Sequence, residues 1–439
     1  MSLVDPEIEA APWGDQAASD APLYTAQIAH LFGKSRFYRE KFGAAGLRSA
    51  ADAGGLGTIA ALPLTEKSEL RAGASDEAPL GSHCTAERGE IARIYSTSGT
   101  TGTPSYIPLT ARDLDVWVQT SSRSYAASGV ERGETIVSTY NAGPFVAGAA
   151  LAAFDRLGLC HVPVGTGNTE RLITAIGKLK PTAAVLTPSY ALHLVEWAAQ
   201  RGIDLARSSV KRVLVAGEPG GGEPAMRAKL EAGWGASVTE AMGIGDIGVS
   251  LWGECEAKAG MHFSGRGFVH IELIDPDTGA AKDLADGAEG ELVLTHLVNR
   301  SAPLLRFRTR DHVRVHTGAC ACGRTAPRVR CIGRTDDMLI VRGVNLFPSA
   351  LREVVNEFQP EVTGMLLIRP KAPGVRQDPP LPVAVEMAGD LTPDDKAHLA
   401  ERIRARIRER LIVATDIHIV PAGSLPRSEY KSKLVEKPH

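Results

Sequence analysis

The stretch SGTTGTP, residues 98–104, has the most unusual chemistry in this sequence. Ser98, Thr100, Thr101 and Thr103 alternate with glycines, and no charged residue interrupts them. Hydroxyls and the backbone N–H groups of glycine-rich turns can surround an anion without a fixed charge. The stretch therefore predicts an anion-binding loop, although it lacks the lysine that phosphate loops commonly carry.

Neither of two well-known nucleotide motifs explains this loop. A Walker loop needs a lysine after its last glycine, and no lysine lies between Tyr95 and Thr110. GIGDIG, residues 243–248, matches the glycine pattern of dinucleotide-binding folds. That reading also requires a helix directly afterwards, and VSLWGECEAKAG has no helical period. The sequence therefore does not predict a dinucleotide site.

Three cysteines and one histidine lie in two short clusters. Cys255 and His262 belong to ECEAKAGMH, and Cys320 and Cys322 belong to CACGRT. Three cysteines with one histidine are a common ligand set for structural Zn²⁺. The Cys-x-Cys spacing is tighter than the usual one, so free thiols are the alternative. We predict a structural zinc site with no open position and hence no catalytic role.

The composition narrows the range of partners and locations. The 439 residues are 44% hydrophobic and 23% charged, and the net charge is −2. This length favours two or three domains, and the balanced charge gives no basic face for nucleic acid. There is neither a secretory signal pattern at the start nor an apolar run of about 18 residues. We expect a cytoplasmic protein without a nucleic-acid or membrane partner.

Hydrophobic periodicity predicts the elements that position these motifs. ETIVSTY, TAAVLTP and KRVLVAGEP read as strands separated by helices, which predicts an α/β fold with a mostly parallel sheet. Ligands bind at the carboxyl ends of such strands, where we expect SGTTGTP and AGEPGGGEP. Residues from about 255 to 332 predict a β-rich subdomain of a large N-terminal domain, residues 1–333. Residues 334–439 predict a small α+β domain.

Several motifs, in the same order, resemble those of adenylate-forming enzymes, and within them the phenylacetate–CoA ligase family. YSTSGTTGTPSYIPLT is similar to the family's phosphate loop, and AGEPGGGEPAMRAKLEAGWGASVTEAMGIGD to its adenine-binding stretch. LLRFRTRD, IGRTDDMLIVRGVNLFPSALREVV and GSLPRSEYKSKL resemble its ribose, hinge and catalytic-lysine motifs. The similarity extends from about Gln27 to Lys433.

The resemblance implies an ATP-dependent, AMP-forming ligase that converts an aromatic or arylacetic acid to its CoA thioester through an acyl adenylate. Lys431 would neutralise charge on the α-phosphate, and the C-terminal domain would swing about Asp336 between the two half-reactions. ATP would contact Ser98, Gly99, Thr100, Thr101, Gly102, Ala216, Gly217, Glu218, Pro219, Met242, Gly243, Asp311 and Arg334; Mg²⁺ would contact Asp246; the acid would contact Tyr140, Asn141, Phe145 and Ser189. A homodimer is a further family expectation.

Five positions depart from the family pattern. Met242 stands where an aromatic residue normally stacks on adenine, Gly245 replaces a hydroxyl residue, and Asp246 replaces a glutamate. Thr103 replaces a lysine, and Tyr430 replaces the glycine before the catalytic lysine. These departures keep two alternatives open. One is an adenylating enzyme that transfers the acyl group to a carrier protein or an amine, and the other is a degenerate member that only binds nucleotide or acyl adenylate.

Overall fold

A large mixed sheet with helices on its faces precedes a smaller α+β unit. The computed structural model describes residues 3–96, 105–140, 146–165, 167–342, 344–372, 375–426 and 434–436. The helices are α1 (Pro6–Glu9), α2 (Gln16–Lys34), α3 (Arg36–Ala44), α4 (Lys67–Ala72), α5 (Ala111–Ala127), α6 (Ala149–Leu157), α7 (Thr169–Leu179), α8 (Pro188–Ala199), α9 (Pro224–Trp234), α10 (Pro348–Asn356) and α11 (Pro393–Leu411). The strands are β1 (Ile91–Ser96), β2 (Tyr106–Thr110), β3 (Thr135–Ser138), β4 (Cys160–Pro163), β5 (Ala183–Leu186), β6 (Arg212–Ala216), β7 (Ser237–Ile244), β8 (Gly248–Glu254), β9 (Met261–Phe263), β10 (Val269–Ile274), β11 (Ala281–Lys282), β12 (Glu289–His296), β13 (Phe307–His316), β14 (Arg328–Arg334), β15 (Leu339–Val341), β16 (Val344–Leu346), β17 (Val362–Ile368), β18 (Arg376–Gln377), β19 (Leu381–Met387) and β20 (Thr415–Val420).

The parallel half of the large sheet follows the predicted alternation of strands and helices. Its strands β4, β3, β5, β6 and β7 are neighbours in that order and pair in parallel. They are short and apolar, and all four residues of β5 are buried, as expected for strands covered by helices on both faces. Two apolar clusters fill the space between this sheet and its helices. The predicted α/β fold class is confirmed.

The antiparallel half continues the same sheet through β8, β9, β14, β13, β12, β10 and β11. Along β13, buried and less buried residues alternate, which is the pattern of a strand with one covered face. GIGDIG forms the end of β7 and the turn into β8, and the two strands pair in antiparallel fashion. The residues after it therefore form a strand, which confirms that GIGDIG is not a dinucleotide motif.

The position expected for SGTTGTP was wrong. Strands β1 and β2, which flank it, form their own two-stranded antiparallel sheet, with Ser96 opposite Tyr106. The loop therefore does not leave a strand of the parallel sheet. A prediction from periodicity cannot separate such a hairpin from a parallel strand, because both give short apolar runs.

The C-terminal part, residues 339–436, has its own core. Strands β17, β19 and β20 form one sheet, on which α10 and α11 pack through Leu351, Val355, Leu399 and Ile403. Helix α11 begins at a cap, where the Thr392 side chain accepts a hydrogen bond from the backbone N–H of Asp395 at 3.2 Å. The apolar residues of both helices recur at helical spacing, and the faces that carry them are buried.

Polar contacts bind the first residues of the chain to the large sheet. Asp5 pairs with Arg123 of α5 at 2.6 Å, and Glu9 pairs with Arg324 of the β13–β14 loop at 2.9 Å. None of the helices that the structure describes has the length and apolar character needed to cross a bilayer.

Candidate active site

The carboxyl ends of neighbouring parallel strands bring several predicted residues to one edge of the sheet. Tyr140 follows β3, Ser189 opens α8 after β5, and the 217–223 loop follows β6. Because β3, β5, β6 and β7 are adjacent in the sheet, these positions lie side by side, with Met242 on β7. Such an edge is the usual ligand site of open α/β sheets. The predicted acid-binding and adenine-binding positions therefore share it.

The start of the 217–223 loop is held by backbone conformation and by Ser189. Gly217 has a φ of 95°, a conformation that side chains disfavour. Glu218 accepts a hydrogen bond from the backbone N–H of Ser189 at 2.7 Å, which fixes the loop against α8. The Ser189 hydroxyl is buried and has no hydrogen-bond partner among the described residues. A buried hydroxyl of this kind is suited to a bound ligand.

Asp311 and Arg334 face each other across β13 and β14. The Arg334 guanidinium lies 3.2 Å from an Asp311 oxygen and makes two contacts of 2.9 Å with Asp336. Burial raises the pKa of Asp311 to about 6, and the charge of Arg334 opposes that rise. The predicted ribose, phosphate and hinge residues thus form one connected group.

Asp246, the predicted Mg²⁺ residue, lies in the turn between β7 and β8. It forms an ion pair of 2.6 Å with Lys67, the first residue of α4. Lys67 lies in LPLTEKSELR, and no role was predicted for it from the sequence. The ion pair fixes the position of the Asp246 carboxylate, whose oxygen atoms are a ligand type suited to Mg²⁺.

A cleft separates this edge from the C-terminal part. Its N-terminal wall includes Ser189, Glu218 and Pro219, and its C-terminal wall includes Leu425, Pro426 and Leu434. Leu434 is held by β17, because its carbonyl accepts a hydrogen bond from the backbone N–H of Ile368 at 2.8 Å. The described residues on both sides of the segment 427–433 therefore line the same cleft as the 217–223 loop.

Two polar contacts across this cleft were missed at the level of sequence. Arg352 of α10 forms a two-contact ion pair with Glu223, and the Lys229 amine donates to the Thr363 carbonyl at 2.7 Å. The segments PSALREVV and GGGEPAMRAKL contain the three charged residues, but no spacing rule links positions more than a hundred residues apart. Only the docking of the two parts brings them together.

The predicted zinc ligands come together. The ligand atoms of Cys255, His262, Cys320 and Cys322 all lie within 4.8 Å of one another. The Cys322 sulfur is 3.3 Å from Nε2 of His262, and the Cys255 sulfur is 3.5 Å from that of Cys320. The donor set fits tetrahedral Zn²⁺, because three thiolates and one imidazole would close the coordination sphere without a carboxylate or water.

Some predicted residues lie outside the described parts of the chain. They are Ser98, Gly99, Thr100, Thr101, Gly102, Asn141, Phe145 and Lys431. Their roles stay predictions.

Comparison with known proteins decides the family. The family model described as AMP-binding enzyme matches residues 25–296, and the AMP-binding enzyme C-terminal domain matches residues 343–437. A phenylacetate–coenzyme A ligase from Thermus thermophilus is 33% identical, over 97% of this chain and 97% of its own. This chain belongs to the phenylacetate–coenzyme A ligase family of AMP-binding enzymes. The predicted family is confirmed. The Escherichia coli phenylacetate–coenzyme A ligase is 32% identical to this family member, over 92% of this chain and 91% of its own.

Solved structures of acyl-CoA ligases have the same fold as this chain. A 2-hydroxyisobutyryl-CoA ligase in the postadenylation state superposes with a TM-score of 0.89 at 23% identity, over 99% of this chain and 92% of that one. The same ligase in the thioesterification state gives a TM-score of 0.72 at 24% identity, over 99% of this chain and 93% of that one. The chain therefore superposes more closely on the postadenylation structure than on the thioesterification structure.

Proposed function

We propose that this protein is an ATP-dependent, AMP-forming acid–CoA ligase. The observation that carries the proposal is the cleft, where the 217–223 loop faces the residues on both sides of the segment that contains Lys431. The curated relatives are phenylacetate–coenzyme A ligases along almost their whole length, which supports the same activity. The acid that we propose is aromatic or arylacetic.

In the first half-reaction, a carboxylate oxygen of the acid attacks the α-phosphorus of ATP and pyrophosphate leaves. Attack of one anion on another needs positive charge where negative charge accumulates. We assign that role to Lys431, with Mg²⁺ held through Asp246 and the outgoing phosphates held by Ser98, Gly99, Thr100, Thr101 and Gly102. Asp311 would accept hydrogen bonds from the ribose hydroxyls, and Arg334 would hold Asp311 ionised.

In the second half-reaction, the CoA thiol attacks the acyl carbon and AMP leaves. The cation that served the first step must then withdraw, which a swing of residues 334–439 about Asp336 would accomplish. Ala216, Gly217, Glu218, Pro219, Met242 and Gly243 would line the adenine site. Tyr140, Asn141, Phe145 and Ser189 would line the acid pocket. The buried hydroxyl of Ser189, which has no hydrogen-bond partner among the described residues, supports its place there. A cytoplasmic location and a homodimer stay predictions from the sequence.

Pyrophosphate release with a panel of aromatic and arylacetic acids tests the proposed function. We expect release that depends on ATP and one of the acids, and thioester formation when CoA is added. Lys431→Ala should abolish release but retain thioester formation from supplied acyl adenylate and CoA. Release without any thioester would favour a carrier protein or an amine as acceptor. No acid-dependent release would contradict the proposal and favour the binding-only alternative.

We also propose that Cys255, His262, Cys320 and Cys322 bind a structural Zn²⁺. The ion would join the end of β8, strand β9 and the β13–β14 loop, and with four protein ligands it would take no part in the chemistry. Metal analysis of the purified protein should find about one equivalent of zinc, and Cys320→Ser should lower both zinc content and thermal stability. Cys160→Ser is the matched control, since Cys160 is an exposed free cysteine far from the cluster in the sheet. A metal-free protein of full stability would contradict the site.

A further inference from the structure

Arg352 and Glu223 form a buried ion pair between the two walls of the cleft. Nε of Arg352 lies 3.1 Å from one carboxylate oxygen and Nη2 lies 2.6 Å from the other. Their side chains are only 8% and 10% exposed. An ion pair with two contacts and little access to water fixes the relative orientation of its partners, here α10 and the 217–223 loop.

The 217–223 loop is shaped around the same guanidinium. Nη2 of Arg352 also donates to the Pro219 carbonyl at 3.0 Å, so one side chain contacts both the start and the end of the loop. Gly220 has a φ of 140°, and a Cβ at that position would lie 3.3 Å from Nη2. A glycine there gives the loop its conformation and leaves space for Arg352.

Glu223 depends on Arg352 because its surroundings are acidic. Buried Glu240 and Glu254 lie on the adjacent strands β7 and β8. Arg227 is already engaged by Glu254 at 2.6 Å. If the C-terminal part moved away, Glu223 would lose the Arg352 guanidinium, while the Glu240 carboxylate, whose charge interacts with it, stayed nearby. The pair is therefore sensitive to the arrangement of the two parts.

We propose that the Arg352–Glu223 pair is a latch that favours the arrangement for adenylation and must break before thioester formation. The inference rests on the proposed function, in which the two half-reactions need different positions of the C-terminal part. A contact present in one arrangement and absent from the other shifts the equilibrium towards the first. Arg352 and Glu223 are positioning residues here, since they act through the 217–223 loop and the position of the C-terminal part.

Separate assays of the two half-reactions test the latch. Arg352→Met and Glu223→Gln should each lower the rate of acid-dependent pyrophosphate release about tenfold or more, since breaking a buried charge pair is costly. Thioester formation from supplied acyl adenylate and CoA should be unchanged or faster. Arg352→Lys, which keeps the charge but loses the two-contact geometry, should be intermediate. Arg402→Ala is the control, because its 2.9 Å pair with Glu361 lies within the C-terminal part.

Equal losses in both half-reactions, or no loss in either, would overturn the latch. Hydrogen exchange of the ligand-free proteins gives a readout that does not depend on activity. Arg352→Met should accelerate exchange in peptides covering 217–230 and 348–367, and Arg402→Ala should not. If the wild type releases no pyrophosphate but Arg352→Met exchanges faster than the wild type, the contact is supported as a latch and the proposed function is refuted. Unchanged exchange in Arg352→Met would overturn the latch even if the enzyme is active.

Discussion

At the scale of single residues, the two carboxylates proposed to meet ATP and Mg²⁺ are each paired with a cation. Asp311 contacts Arg334 at 3.2 Å, and Asp246 contacts Lys67 at 2.6 Å. Burial is the main cause that raises the pKa of Asp311 to about 6, and the charge of Arg334 opposes this rise, so without Arg334 the pKa would be higher still. Both carboxylates are thereby oriented before any ligand binds.

The pairing of Asp246 predicts opposite effects for its two partners. Asp246→Asn removes the charged ligand, so it should raise the Mg²⁺ concentration needed for half-maximal adenylation, about tenfold or more. In the wild type, Mg²⁺ must compete with Lys67 for the carboxylate. Lys67→Met should lower that concentration, because it removes the competing cation. Initial rates of pyrophosphate release across a Mg²⁺ titration would measure both, with exposed Asp76 changed to Asn as the control. Shifts in the same direction for the two variants would contradict a Mg²⁺ role for Asp246.

At the scale of elements, the hydrophobic periodicity and the turn residues of the sequence predict most of the local secondary structure and its buried faces. The buried faces of α10 and α11, the short apolar strands and the Thr392 cap all follow from side-chain spacing. The β1–β2 hairpin does not follow from spacing, because a hairpin strand and a parallel strand differ in the strand with which they pair. The Arg352–Glu223 pair does not follow from spacing either, since its two residues are 129 positions apart. Pairings between distant segments are set by the tertiary fold, which a single sequence does not display.

The pairing of β7 with β8 buries the carboxylates of Glu240 and Glu254 close together. The free energy of unfolding should therefore depend on pH. Burial, with the charge of Glu254 beside it, raises the pKa of Glu240 to about 7. Arg227 opposes that rise and Glu223 adds to it. Between about pH 4.5 and 7 the folded protein therefore binds more protons at Glu240 than the unfolded chain, so this residue lowers stability as pH increases.

Glu240→Gln should remove this effect, because the amide has the shape of the protonated carboxyl and no charge. We expect the variant to gain stability relative to the wild type as pH rises from 5 to 8, by roughly 1 kcal/mol or more. Thermal unfolding at both pH values would measure the difference, with exposed Glu170 changed to Gln as the control. A variant that is equally destabilised at both pH values would show that Glu240 is ionised and needed as an acceptor.

At the scale of the whole molecule, the first residues of the chain satisfy arginines that belong to distant elements. Arg123 of α5 contacts Asp5 at 2.6 Å, Arg266 before β10 contacts Gln16 at 2.6 Å, and Arg324 contacts Glu9. The three arginines are buried. These contacts offset part of the cost of burying each guanidinium, so the N-terminal segment helps to fix the antiparallel half of the sheet relative to α5.

Glu9→Gln tests this role with a change of one atom. The Glu9 carboxylate lies 2.9 Å from Arg324, and it also accepts hydrogen bonds from the backbone N–H groups of Val4 and Asp5 at 2.7 and 2.9 Å. An amide presents one acceptor and no charge to these three donors, so the buried Arg324 guanidinium loses its ion pair with Glu9, at a cost of about 2 kcal/mol or more. We expect the midpoint of thermal unfolding to fall by several degrees. Glu7→Gln on the same short helix should not shift it, because Glu7 is exposed. Equal midpoints for Glu9→Gln and Glu7→Gln would mean that the buried Arg324 is stabilised by other groups and that the N-terminal segment is not needed to hold the β13–β14 loop.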